Sequence, residues 1–156
     1  MFFLNEKGWD FAKMENYIPE YGQVSVAALM HTWNPTASDL CGFCTSLVVE
    51  SIEHLFKRGD IAQCVWRYFS DAADISPLPY LKQNIRKWWS LDCNPRKKVV
   101  YQVVPIVILW FLWMRRNTIL HGGTFSRGKL IWEVNDFIRK FMFLRFKVSC
   151  EGQDLI

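Results

Sequence analysis

Cys41 and Cys44 are separated by two residues, and His54 follows them after a short spacer. Two thiolates on one tight turn and an imidazole nearby form the donor set that Zn²⁺ takes, and Zn²⁺ asks for four such ligands. The fourth is due a few residues after His54, where the chain has Gly59, with no side chain to offer. Two neighbours could stand in: Asp60 with a carboxylate oxygen, or Cys64 with a thiolate from the first turn of the next helix. A water could also hold the fourth position, as in catalytic zinc sites, and would then need a general base. Glu50 and Glu53 are the carboxylates nearest in sequence. A plainer reading makes Cys41, Cys44 and Cys64 small buried residues, with His54 hydrogen-bonded locally. With only three good ligands, metal affinity falls several kcal/mol short of the ~10–16 kcal/mol of a structural site.

The elements that must position these residues follow from patterning. The 156 residues are 51% apolar and 16% aromatic, with eight Trp, which suits a helical, aromatic-packed domain and excludes a disordered chain. Residues 5–17 read as a short helix with Trp9, Phe11, Met14 and Ile18 on one side, ended by Pro19. "GQVSVAAL" reads as extended, then helical, and "NPTASD" as the loop leading to Cys41. Beyond the knuckle, Ile61, Val65, Trp66 and Phe69 fall at helical spacing, with Asp60 placed to cap that helix. "LKQNIRKWW" predicts another short helix. Residues 99–114 are the most apolar run, about 16 residues and so roughly 24 Å as a helix, short of the ~30 Å of a bilayer core. Gln102 and Pro105 interrupt it and Arg115-Arg116 end it, so a buried central helix is expected and no membrane span. Gly122-Gly123 stop it with ready positive-φ positions. Residues 126–146 give the cleanest stripe, Leu130, Val134, Phe137, Phe141 and Leu144, widened by Ile131 and Ile138. The expected class is all-α: an irregular Cys/His knuckle, and a long buried helix packed on an amphipathic C-terminal helix.

Charge divides the chain. Up to Tyr80 there are 5 Lys and Arg against 10 Asp and Glu, and from Leu81 onward 14 against 5, giving the net +4. The basic half could meet a polyanion. Arg86, Lys87, Arg96, Lys97 and Lys98, around Trp88-Trp89, are the candidate phosphate contacts; solvated helix faces would read the same. Five cysteines at these spacings do not suit a secreted disulfide scaffold, and the first residues lack the apolar run of a signal peptide. A reducing location, nuclear or cytoplasmic, is expected.

Cys41-x-x-Cys44, Glu50, Glu53-His54-Leu55-Phe56, Ala62 and Val65-Trp66 together resemble the zinc-binding domain of plant LINE-type (non-LTR) retrotransposon reverse transcriptases. In that family the domain precedes a ribonuclease H domain. A second block, "LWFLWMRRNTILHGG", is similar to the family's Trp-x-x-Trp-x-x-Arg-Asn helix with its trailing His and glycines. The resemblance covers residues 40–148, loosely includes 1–39, and leaves 149–156 as a tail. It implies Zn²⁺ held by Cys41, Cys44, His54 and a Cys that here is Gly59, and it implies contact with RNA or DNA.

Catalytic machinery is not expected. A reverse transcriptase needs an aromatic-x-Asp-Asp centre for its two Mg²⁺ ions, and this chain has no Asp-Asp pair. Glu133 and Asp136 read as surface partners of Lys129 and Lys140 rather than ribonuclease carboxylates. His121 reads as a helix-end residue that complements the dipole. The function expected is that of a non-enzymatic fragment with a degenerate zinc-binding domain that binds nucleic acid. The alternative is a helical interaction module or expressed relic that associates with itself or another protein through its apolar helix.

Overall fold

The computed structural model describes residues 4–5, 8–9, 40–44 and 48–151. Leu4–Asn5 (β1) and Gly8–Trp9 (β2) pair antiparallel, with Leu4 opposite Trp9. The helix expected from Asn5 therefore does not start there; a glycine inside a helix costs about 1 kcal/mol, and Gly8 sits instead in the ladder. Residues 10–39, with the rest of that helix, "GQVSVAAL" and most of the loop before Cys41, lie outside the described residues. So does the tail 152–156.

The remainder is all-α, as the patterning predicts. The knuckle closes on itself: Leu40 bridges antiparallel to Val49, and the Cys41 N–H donates to the Val48 carbonyl at 2.8 Å. Next comes a single wide turn, His54–Arg58, of π-helical form, closed by the Gly59 N–H donating to the His54 carbonyl at 2.6 Å. Four α-helices follow: α1 (Asp60–Ala73), α2 (Leu81–Ser90), α3 (Pro95–Leu120) and α4 (Arg127–Glu151). The cap of α1 is Gly59, and Asp60 is its first residue, a shift of one from the expected cap. Its carboxylate still accepts the Ile61 N–H at 2.9 Å. The expected stripe of α1 is buried, with Ile61, Val65, Trp66 and Phe69 all in the core.

Helix α3 is longer than the apolar run that announces it. Asn94 caps it by accepting the Lys97 N–H at 2.9 Å, with Pro95 in the first turn. Its 26 residues rise about 39 Å. Pro105 lies fully buried within it, and in the same turn the Trp89 indole donates to the Gln102 carbonyl at 3.3 Å. By length and composition α3 could cross a membrane. Val103, Val104, Ile106, Val107, Ile108 and Leu112 are buried, but Trp110, Trp113 and Met114, at i, i+3 and i+4, form an exposed flank. Burial on most sides is thus confined to one portion of the helix.

Aromatic contacts tie the layers together. Trp66 of α1 meets Trp88 of α2 at 6.4 Å between ring centres, Trp88 meets Tyr101 of α3 edge-on at 5.8 Å, and Phe111 of α3 meets Phe137 of α4 at 6.0 Å. Gly122, at φ +79, turns the chain after α3, and Ser126 caps α4 by accepting the Lys129 N–H at 3.2 Å. The stripe of α4 is buried at Leu130 and Val134 and half-buried at Phe137 and Phe141. Leu144 at its end is exposed. Glu133 pairs with Arg115 of α3 at 2.6 Å, where the spacing had offered Lys129; Asp136 does pair with Lys140, at 2.7 Å.

Candidate metal centre

Three local devices bring the donor atoms together. The Leu40–Val49 bridge folds the Cys41–Cys44 loop back on the chain. Phe43, buried, stacks on Phe125 between α3 and α4 at 5.0 Å, which anchors the middle of that loop. The wide turn after Ser51 swings His54 inward, its N–H bonded to the Ser51 hydroxyl at 3.0 Å. Single π-type turns often mark functional sites.

The Cys41 and Cys44 sulfurs and a His54 ring nitrogen all lie within 4.8 Å of one another, and this group could hold a metal ion. His54 is 8% exposed, and its Nε2 is buried without a hydrogen-bond partner. Leaving such a group unsatisfied costs about 1–3 kcal/mol. A metal accepting its lone pair removes that cost.

The two thiols differ. A hydrogen bond from Cys44 draws Cys41 down to about 6, against the opposing effect of burial. Cys44 is pushed up, first by that same bond to Cys41, then by burial and by its hydrogen bond to the Asp60 carboxylate. One thiolate is therefore ready to ligate near neutrality, while the second must give its proton up when an ion enters.

Gly59 stands at the open corner. A Cβ built there would lie 2.6 Å from the Cys44 sulfur, 2.8 Å from the His54 carbonyl oxygen and 3.4 Å from His54 Nε2. The position is therefore adjacent to two of the three donors, and the Cys44 sulfur fills the space a side chain would take. With φ at −61°, only this crowding favours glycine there.

Of the two stand-in ligands, Cys64 is half-buried on α1 and is not among the converging donors. Asp60 is likewise not among them, and it pairs with Arg127 of α4 at 2.8 Å. Glu50 and Glu53 turn away to structural work. Glu50 forms a two-pronged pair with Arg116, at 2.8 and 3.1 Å, both side chains buried. Glu53 accepts the Leu81 N–H at the start of α2 with both oxygens at 3.2 Å.

No family model, curated protein or solved structure matches this chain. The site therefore rests on its own geometry.

The expected phosphate contacts are spread over α2 and the start of α3, and at least four of the five, Arg86 among them, interact within the chain. Lys98 Nζ donates to the Trp89 and Leu91 carbonyls at 2.7 and 2.8 Å, finishing the end of α2. Lys87 Nζ donates to the Ser76 carbonyl at 2.9 Å, and the Arg96 guanidinium sits 5.2 Å from the Phe146 ring centre. Arg86 and Lys97 have exposed side chains. Trp88 is 1% exposed and Trp89 half-buried, so neither presents an open face for base stacking. The sequence motifs singled out Glu50 and Arg116 separately but gave no signal that they pair, and none for Arg127; the two carboxylate partners lie 66 and 67 residues away.

Proposed function

We propose that this chain is a small helical module stapled by Zn²⁺, of the reverse-transcriptase zinc-binding type, spanning residues 40–148, and that it acts by binding RNA or DNA rather than by catalysis. The buried, unpartnered Nε2 of His54 facing two thiols carries the metal part of this reading. Two sulfurs and an imidazole select Zn²⁺ over the oxygen-seeking Mg²⁺ and Ca²⁺. The resemblance of the Cys41–Trp66 and Leu109–Gly123 blocks to retroelement zinc-binding domains supports it, as does the basic balance of the chain from Leu81 onward.

Metal analysis of protein purified under reducing conditions without added zinc tests the proposal. One equivalent of zinc is expected, with a fall in melting temperature on chelation and loss of the metal in H54A. Full thermal stability with no zinc would overturn it, leaving the three residues as buried polar groups in a metal-free fold.

A second reading is favoured by Trp110, Trp113 and Trp132, exposed on α3 and α4. In it the module associates with a second copy of itself through these side chains. A concentration-independent monomer in light scattering would end it. In either case α3 serves as a core helix and not a membrane span, because it carries the buried Arg116–Glu50 pair; recovery without detergent is the expected outcome.

A further inference from the structure

The cations that the sequence offers to phosphate, on α2 and the start of α3, are largely engaged within the chain, and Trp88 beside them is buried. The outer side of α4 has the opposite character. Its core stripe runs through Leu130, Val134, Phe137 and Phe141. At 3.6 residues per turn, residues 132, 139 and 143 fall about half a turn round from that stripe. Trp132 is 63% exposed there and Phe143 66%, with Arg139 exposed between them. Lys129, also exposed, stands one turn before Trp132. Neither Lys129 nor Arg139 has an ion-pair partner among the described residues, whereas the acids of the same stretch, Glu133 and Asp136, are taken up by Arg115 and Lys140. At the edge of this face Tyr68 of α1, itself part-exposed, accepts a hydrogen bond from the Asn135 amide at 3.2 Å.

We infer that a single strand of RNA or DNA lies along this outer face of α4, its bases stacked on Trp132 and Phe143 and its phosphates on Arg139 and Lys129. The inference rests on the nucleic-acid part of the reading above and deepens it, and it does not depend on the metal. Two rings some three turns apart, with a cation between them, make a poor apolar patch for a protein, because the core of such an interface is depleted of charge. A single strand offers both things the face matches, unstacked bases for the rings and phosphates for the cations. A duplex keeps the faces of its bases in its own stack. Tyr68 widens the platform from the side of α1.

Fluorescence anisotropy tests this with the full chain in reducing buffer at several salt concentrations. The probe is a labelled oligouridine of about 12 nucleotides, within the ~4–16 that a single-strand-binding fold covers. W132A and F143A are each expected to weaken binding about 5- to 150-fold, the worth of one stacked base, and to leave the salt slope alone. R139Q and K129Q should each make the slope of log affinity against log salt shallower by about 0.7. K97Q, which removes an exposed cation at the start of α3, should change neither affinity nor slope.

Wild-type affinity in both W132A and F143A would overturn the inference. So would a loss in K97Q as large as that in R139Q, which would return the contact to the start of α3. A wild-type dimer that W132A dissociates, with RNA affinity untouched, would assign the face to a second copy of the chain and overturn it as well. Each of those outcomes leaves nucleic-acid binding itself standing. Absence of binding by the wild-type chain would instead overturn the nucleic-acid reading, and this inference with it.

Discussion

Lys57 is 7% exposed, and its ammonium lies 5.7 Å from the centre of the Trp66 ring. Burial pushes its pKa down, with the Glu53 carboxylate opposing. A lowered lysine means that, between its folded value and the ordinary one, the unfolded chain holds more protons. Stability then rises with pH through that alkaline window, and below it the cost of burying the charge is constant. K57M should therefore be more stable than wild type at pH 7 and lose the alkaline rise, as read from urea midpoints at pH 7 and pH 10. Parallel midpoints for the two proteins would contradict this. At this scale the sequence was legible where chemistry is local. Cys41, Cys44 and His54 were readable as a set because close spacing limits what they can do, and Gly59 because an absent side chain is unambiguous. Asp60 and Cys64 were readable only as alternative stand-ins, and neither is among the converging donors. The role of Lys57 was not readable, since nothing in a charged residue's type announces burial.

Among elements, the buried Glu50–Arg116 pair fastens the segment just before the wide turn to α3, and so fixes where His54 is presented. Removing one partner of a buried pair costs about 3–5 kcal/mol, because the other is left charged and dry. R116M should lose that much in urea denaturation, while E50L/R116M should recover most of it. A double mutant as unstable as R116M would show that the pair's loss is not electrostatic. Helices α1 and α4 were legible from their stripes. Helix α3 starts ahead of its apolar run, at the start signal Asn94-Pro95, with a basic first turn that hydrophobic patterning does not register. The wide turn left no sequence trace. It depends on the Trp66 indole holding the Phe56 carbonyl at 2.7 Å and on the absence of a side chain at Gly59, where the Cys44 sulfur and the His54 carbonyl already fill the space, both products of tertiary packing.

Across the whole molecule, charge asymmetry invites a polyanion, but the internal bonds of Lys87, Arg96 and Lys98 limit how much of it reaches outward. Each phosphate neutralised on a single strand adds about −0.7 to the slope of log affinity against log salt. Two contacts give about −1.4 and five about −3.5. The slope for single-stranded RNA is expected to fall short of the five-contact figure; no slope at all would remove the nucleic-acid role. The Glu50–Arg116 pair has a further consequence, in the order of synthesis. A ribosome adds about 5–20 residues per second, so the 66 residues between the partners take roughly 3–13 s to emerge. Through that interval Cys41 and Cys44 are already outside, while the helix that seats their neighbour does not yet exist. The nascent chain passes through a stage of open thiols that an oxidant or a metal can reach first, and which arrives sooner decides what the finished knuckle contains.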